Sequence, residues 1–350
     1  SSAHEPDQRP PLPDHTSPTM NRPLIAILRG GYTGESVISM QSARTMMEAV
    51  DLQRYEALYI SVSKGDWTCE RADESPVHFD RGQFTADRGH GLERFAAALI
   101  AIHGSPGEDG RMQGYLDMLG VPYATGGVRT MAIAMSKFST TGLLRQMGFP
   151  VAPSIVLRGR DQHTSERVLA EVGLPCFVKP DGSGSSLGIS RATSLEELEA
   201  SLELAFAEDD TVMCEALVTG RELTCGVIRL HGQVQAMPVC EIRTSRPFFD
   251  YEAKYHSADT QELIPAPIPD EVTRTVQERS VAIYKALGCD GMVRIDHFWT
   301  GREVITIEAN TTPGFSGASI FPKMLAVAGI GVPAAINGLI EGCLQRAAAK

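Results

Sequence analysis

Residues 293–314 read V-R-I-D-H-F-W-T-G-R-E-V-I-T-I-E-A-N-T-T-P-G, two apolar runs joined at Thr300, Gly301 and Arg302. The runs predict two strands and a turn. Side chains in a strand alternate faces, so Arg294 shares a face with Asp296, and Glu308 shares one with Asn310. If the strands pair, a guanidinium, two carboxylates and an amide oxygen converge on one small area. Hard oxygen donors of this kind suit Mg2+ better than zinc or copper. Four polar groups at period two inside apolar strands do not make a core, and the pattern predicts a metal–phosphate site.

The rest of the chain limits what can surround that hairpin. At 350 residues it is long enough for two or three domains. A formal net charge of −11 excludes a general nucleic-acid binder, which needs a basic face, but not a local phosphate pocket. Seven cysteines, odd in number and without a C-x-x-C pair, predict buried free thiols in a reducing cytoplasm. No window approaches the ~20 apolar residues of a membrane span, and no membrane partner is expected. Residues 1–21 lack the apolar core of a signal peptide and read as a disordered tail or an expression remnant, with Met20 a natural start.

From Pro23, L-I-A-I-L predicts a buried strand, R-G-G-Y-T-G a loop ending before Glu35, and S-V-I-S-M-Q-S-A-R-T-M-M-E-A-V a helix. A-L-Y-I-S-V and A-A-A-L-I-A-I-H-G predict two more strands, while residues 69–91 are polar and fit no element. This alternation predicts a parallel, Rossmann-like α/β domain over 22–126, with its ligand at the carboxyl ends of the strands. A central region, 127–217, opens with one helix from Val128 through Arg145 and contains the strands V-A-P-S-I-V-L, L-P-C-F-V-K-P and T-V-M-C-E-A-L. A capped helix start is expected there near Thr193 or Ser194, with Glu196 and Glu197 in its first turn. The last region, 218–347, begins with an antiparallel pair around His231 and Gly232. A long polar loop over 244–265, a helix from Asp270 to Leu287, the opening hairpin and one terminal helix follow.

Several residues admit two readings. The glycine–serine segment 182–188, with Lys179 at the end of the strand before it, can cradle phosphates or be a surface loop. It lacks the G-x-x-x-x-G-K-[ST] pattern of a Walker A loop. His103 ends a strand before a glycine loop and fits either a substrate contact or a satisfied core histidine. Glu35 sits where α/β domains bind ligands, and equally suits a helix first turn. Lys254 and Tyr255 can be functional or merely exposed.

Five blocks in this order resemble the D-alanine–D-alanine ligases of the ATP-grasp superfamily: G-G-Y-T-G-E-S-V-I-S, H-G-S-P-G-E-D-G-R-M-Q-G, F-V-K-P-D-G-S-G-S-S-L-G, F-F-D-Y-E-A-K-Y and R-I-D…E-A-N-T-T-P-G. The resemblance implies a three-domain ATP-grasp architecture, α/β and α+β, with ATP between the central and carboxyl-terminal domains. It implies that Lys137 and Lys179, with Ser185, Ser186 and Lys254, contact the nucleotide phosphates. Glu215, Leu217, Val218 and Glu222 would hold adenine and ribose. Asp296, Glu308 and Asn310 would bind a pair of Mg2+ ions, replaceable by Mn2+, with Glu308 bridging. Glu35 would hold the ammonium of the first D-alanine near His103, in a hydrogen-bonded set with Ser185 and Tyr255. Arg294 and the Gly314 amide would face the oxyanion, and Ser319 with Ile320 would receive the second D-alanine. A homodimer is also implied.

The implied reaction runs through an acyl phosphate, supplies the dipeptide for peptidoglycan, and uses residues 248–257 as a lid that excludes water. Departures from the family pattern are Ser136 before Lys137, Arg29 before the first Gly-Gly, the D-G-S-G start of the loop, and F-S-G-A-S-I after Gly314. The last bears on the second substrate, for which D-lactate, D-serine or another amino acid is the alternative. A nucleotide-binding protein without catalysis is the rival of a different class.

Overall fold

The computed structural model describes residues 22–161, 163–182, 188–244 and 260–349. Three sheets follow one another along the chain. The first contains β1 (Leu24–Gly30), β2 (Glu56–Val62), β3 (Trp67–Glu70), β4 (Pro76–Asp80), β5 (Thr85–Asp87), β6 (Leu92–Arg94) and β7 (Ala97–Ile100), in the order β6-β5-β4-β3-β2-β1-β7. Strand β1 pairs in parallel with both β2 and β7. Helix α1 (Ser36–Ala49) crosses from β1 to β2, and α2 (Arg111–Leu119) follows β7.

The expected parallel sheet is therefore parallel only at one end, over β2, β1 and β7. Residues 67–94 form an antiparallel meander, because short strands can be joined by tight turns where parallel ones cannot. Asp80 and Asp87 build two of those turns, accepting from the Gly82 and Gly89 N–H groups, both at 2.7 Å.

The second sheet has the order β10-β9-β11-β8, formed by β8 (Ser154–Arg158), β9 (Cys176–Pro180), β10 (Ser190–Ala192) and β11 (Thr211–Ala216). Two helices precede it where one was expected: α3 (Val128–Met135) and α4 (Lys137–Gln146). Ser136 breaks the run by turning extended, and its hydroxyl accepts from Ser139 N–H as the cap of α4. Helix α5 (Thr164–Glu171) lies between β8 and β9, a segment for which the sequence suggests no element. The capped start at Ser194 is borne out: α6 (Leu195–Glu208) opens with that hydroxyl accepting from Glu197 N–H, while Glu197 Oε2 accepts from Thr193 N–H.

The third sheet contains β12 (Arg221–Leu230), β13 (Gln233–Ala236), β14 (Cys240–Arg243), β15 (Gln261–Leu263), β16 (Met292–Trp299) and β17 (Val304–Asn310), in the order β15-β14-β12-β16-β17 with β13 beside β12. Strand β15 lies inside the segment expected to be loop. Helix α7 (Asp270–Ala286) follows. The chain ends in two helices rather than one, α8 (Ile320–Val327) and α9 (Val332–Ala348), separated at Gly329, where φ is 74°. Among the described residues no single helix is long and apolar enough to cross a membrane. All seven cysteines are buried and free.

One apolar core joins the first and third sheets. Ile25 and Ile27 of β1, Met46 and Met47 of α1, Phe315, Phe321 of α8 and Ile336 of α9 belong to the same buried cluster. The opposite face of the third sheet is covered separately, with Ile295 and Ala309 packed against Leu144, Ile283 and Tyr284. On that face His297 is fully buried between the hydroxyls of Ser280, at 2.9 Å, and Thr306, at 3.2 Å.

Burial lowers the His297 pKa from 6.5 to about 3, with the Arg279 charge adding to the effect. The folded state then keeps the ring neutral while the unfolded chain takes up a proton below its ordinary value. Stability is full above about 6.5 and is lost as the pH falls toward 3. At about pH 5.5 the loss from this one ring is ~1.4 kcal/mol. The His297→Asn variant should lose that much less than wild type between neutral pH and pH 5.5 in urea unfolding.

Candidate active site

Strand β16 runs antiparallel to β17 with Arg294 opposite Asn310 and Asp296 opposite Glu308. All four polar groups therefore lie on one face, as the alternation predicts. Arg294, Glu308 and Asn310 are half-buried there, while Ile295 and Ala309 between them point into the core. Arg294 donates from Nε and Nη2 to the two oxygens of Asp296, both at 3.0 Å. Strand β12 adds to the same face from the other side: Thr224 stands opposite Asp296 and donates to its Oδ1 at 2.6 Å. Glu222 lies two residues earlier, opposite Phe298.

The donor set here is two carboxylates and an amide oxygen. Among the described residues no group of three or more His, Cys, Asp or Glu is placed to hold a metal, so no all-protein cage is present. One or two carboxylates, with phosphate oxygens and water supplying the rest, is the way Mg2+ is commonly held, and Asp296, Glu308 and Asn310 fit that mode.

Beside this face stand the loops that follow two adjacent parallel strands. The loop after β1 brings Glu35 to the N-cap of α1, where its carbonyl accepts from Ser39 N–H at 3.0 Å. The loop after β7 brings His103, which is buried. The two loops touch so closely that a side chain at Gly104 (φ 68°) would meet Thr33 at 2.8 Å and approach the Glu35 carboxylate. His103 Nδ1 donates to the Thr312 carbonyl at 2.9 Å, and its Nε2 lies 3.2 Å from Ser42 Oγ. Burial lowers the His103 pKa, against the pull of Glu35 and of the Thr312 carbonyl. The neutral ring thus accepts at Nε2 from the Ser42 hydroxyl, which in turn accepts from Phe315 N–H at 3.0 Å.

Glu108 completes this junction. One of its oxygens accepts from Gly104 N–H at 2.6 Å and the other from Thr312 N–H at 3.1 Å. Burial pushes its carboxyl up to about 8; Glu35 and Glu308 add to the rise, and the two amide donors oppose it. The glycine loop of the first sheet is thereby tied to residues 311–314, directly after the polar hairpin.

After that segment, Gly314 sits against Ser319, whose Oγ would lie 2.9 Å from any added Cβ. Ser319 stands at the N-cap position of α8, but its Oγ accepts from Ser316 N–H at 3.0 Å rather than from the helix. Ile320 commits its side chain to the core, leaving its main-chain N–H in the first turn as its polar contribution.

On the second sheet, Lys179 and Glu215 are both buried and pair at 2.5 Å. Lys179 Nζ also lies 5.5 Å from the centre of the Phe177 ring. Lys137 is the first residue of α4; its neighbours Ser136 and Phe138 both donate to Asp181, the residue after β9. Leu217 and Val218 are half-buried after β11, and Leu217 N–H donates to the Pro175 carbonyl at 3.1 Å.

Two family models match the chain: "D-ala D-ala ligase N-terminus" over residues 24–126 and "D-ala D-ala ligase C-terminus" over 143–341. The chain belongs to the D-alanine–D-alanine ligase family. It is 37% identical to the D-alanine–D-alanine ligase of Phocaeicola vulgatus over 91% of this chain and 98% of that one. Among solved structures it is similar to the VanG D-Ala:D-Ser ligase of Enterococcus faecalis (29% identity, TM-score 0.82, 91% of this chain and 99% of that one). It is also similar to the D-alanine–D-alanine ligase of Bacillus anthracis complexed with ATP (29% identity, TM-score 0.75, 94% and 99%).

Within this ligase fold, three residues carry contacts that the sequence patterns do not single out: Glu108, Thr224 and Asp181. Thr224 could be found, since it continues the period-two face begun by Glu222. Ser185, Ser186, Lys254, Tyr255 and the expected lid over 248–257 lie outside the described residues.

Removing the Glu108 carboxylate strands two buried N–H donors, each costing about 1–3 kcal/mol. Thermal and urea denaturation of Glu108→Ala should show a loss of at least ~2 kcal/mol. A variant as stable as wild type would mean that the two loops hold together without this carboxylate.

Proposed function

We propose that the protein joins two D-alanines to D-alanyl-D-alanine, with conversion of ATP to ADP and phosphate, for peptidoglycan synthesis. The observation that carries this reading is the placement of Arg294, Asp296, Glu308 and Asn310 on one strand face, next to residues 311–314. Family membership supports it, and the ATP complex of the Bacillus anthracis relative supports the nucleotide.

A carboxylate is a poor acceptor for an amine, so the first D-alanine must become an acyl phosphate. Glu35 at the N-cap of α1 would hold its ammonium, with His103 and Glu108 fixing the loop around it. Lys137 and Lys179, together with Ser185, Ser186 and Lys254, would neutralise and orient the nucleotide phosphates. Glu215, Leu217, Val218 and Glu222 would take adenine and ribose. Asp296, Glu308 and Asn310 would hold Mg2+, or Mn2+ in its place, which when bound would neutralise phosphate charge. The second D-alanine, received at Ser319 and the Ile320 N–H, would lose an ammonium proton to a nearby base or to the phosphate and attack the acyl carbon, forming the C–N bond as phosphate leaves. The tetrahedral oxyanion would be met by Arg294, oriented by Asp296, and by the Gly314 N–H. Ser185 and Tyr255 would complete the set around Glu35, and residues 248–257 would exclude water.

The same proposal divides the chain into domains at 22–126, 127–217 and 218–347, and sets a homodimer in the reducing cytoplasm; the seven free, buried thiols fit that compartment.

Phosphate release from ATP, Mg2+ and D-alanine tests the reaction; release no faster than without D-alanine overturns it. Arg294→Ala should still bind ATP while its ligation rate falls on the order of 10²–10³. Unchanged turnover would remove Arg294 from the chemistry and favour a binding protein. The F-S-G-A-S-I segment after Gly314 favours one second reading, a different second substrate, which the D-Ala:D-Ser relative also illustrates. D-lactate and D-serine offered in competition with D-alanine, with product masses, separate the two.

A further inference from the structure

Lys137 is flanked by two residues that one carboxylate holds. Asp181 accepts from Ser136 Oγ at 2.6 Å through one oxygen and from Phe138 N–H at 2.8 Å through the other. The Asp181 carbonyl lies 3.5 Å from the Lys137 N–H, at the limit of a hydrogen bond. Asp181 is itself anchored: its N–H donates to the Thr211 carbonyl at 2.9 Å, and the next N–H, of Gly182, donates to Asp209 at 3.0 Å. Lys179 stands two residues before it on β9, held by Glu215 on β11.

A capping side chain from within α4 would fix only that helix. Ser136 already does so by accepting from Ser139 N–H. Asp181 comes from the end of another element, so its two bonds fix the first turn of α4 relative to β9. The carboxylate is 8% exposed, and both oxygens are spent on donors at a helix N-terminus, where negative charge is favoured. Both oxygens are thus committed to α4 rather than left open toward a ligand between the lysines.

We propose that Asp181 is a positioning residue that holds Lys137 and Lys179 in one frame for a nucleoside polyphosphate. The proposal rests on the nucleotide role given to the two lysines above, and concerns residues at which this chain departs from the pattern it otherwise resembles.

The test is calorimetric titration of the full-length protein with Mg–ADP, beside steady-state kinetics, for wild type, Asp181→Ala, Asp181→Asn and Ser136→Ala. Loss of a charge-assisted hydrogen bond predicts about tenfold weaker ADP binding and a similar rise in the KM for ATP for Asp181→Ala. The KM for D-alanine should stay at its wild-type value, while the melting temperature of Asp181→Ala falls by a few degrees because two donors at the start of α4 lose their acceptor. Asp181→Asn should recover most of the affinity, because its amide oxygen still accepts from Phe138 N–H and its amide N–H still reaches Ser136. Ser136→Ala, losing one contact of two, should fall between, and it decides the matter if Asp181→Ala does not fold. Wild-type ADP affinity in the alanine variants overturns the proposal. So does a loss of ADP affinity accompanied by a changed D-alanine KM, which marks a purely structural residue. If wild type binds ADP yet makes no dipeptide, the ligase reading fails, and the calorimetric comparison still decides the role of Asp181.

Discussion

The register of β16 on β17 is the constraint on which the site depends. Antiparallel pairing sets Arg294 against Asn310 and Asp296 against Glu308, and a slip of β17 by one residue would send Glu308 and Asn310 to the apolar face. That face cannot accept them, because Ile295 and Ala309 are packed there against Leu144, Ile283 and Tyr284. Burying unpaired charges in such a layer costs far more than any strand bond returns. The register shifts immediately after Asp296, so that His297 meets Thr306. The bulge confines the polar face to the end of the hairpin that leads into residues 311–314, and leaves His297 as a neutral member of the buried layer.

A second constraint places the loops of the first sheet against that hairpin. Ile25 and Ile27 share one core with Phe315, Phe321 and Ile336, so the sheet carrying Glu35 and His103 and the segment after Asn310 pack as one body. Polar bonds then set the fine position. The hydrogen-bond chain His103–Ser42–Phe315 and the two N–H groups that donate to Glu108 join helix α1, the loop after β7 and the segment after β17. Burial first, and then the charges of Glu35 and Glu308, raise the pKa of Glu108 at this junction. The arrangement persists because Glu108 answers two main-chain donors that nothing else satisfies there; removing it leaves them buried and unpaired.

Legibility in the sequence follows the range of the interactions. The hairpin face was readable because period-two alternation is a property of the strand itself, and the strand carrying Lys179 was readable as an apolar run, whereas the strand expected to reach His103 ends at Ile100 and leaves His103 in the following loop. The capped start of α6 was readable because Ser194 and Glu197 are neighbours. The break at Ser136 was not, since a serine inside a helical pattern gives no sign of it and a carboxylate 45 residues away supports it. Glu108 was hidden for a related reason: it contacts main-chain N–H groups, one of them 204 residues distant, and main-chain groups leave no trace in side-chain patterns. The meander over 67–94 was illegible because strands of three to five residues are too short to show a period.

The pairing of Arg294 with Asp296 then takes on a meaning beyond stability. A buried ion pair is a poor stabiliser, since desolvation of both ions offsets most of the attraction. Its value here is geometric. Two parallel bonds at 3.0 Å, with Thr224 on the same carboxylate, hold the planar guanidinium in one orientation. A fixed cation stabilises developing negative charge without having to reorganise when the charge appears, which is the condition under which such a group contributes most. Lysine at this position would keep the charge but lose the fork, leaving a mobile ammonium on a flexible stem. In the oxyanion role proposed for Arg294 the neighbouring carboxylate would therefore count as much as the guanidinium itself, and the strand alternation that places them two residues apart supplies both at once.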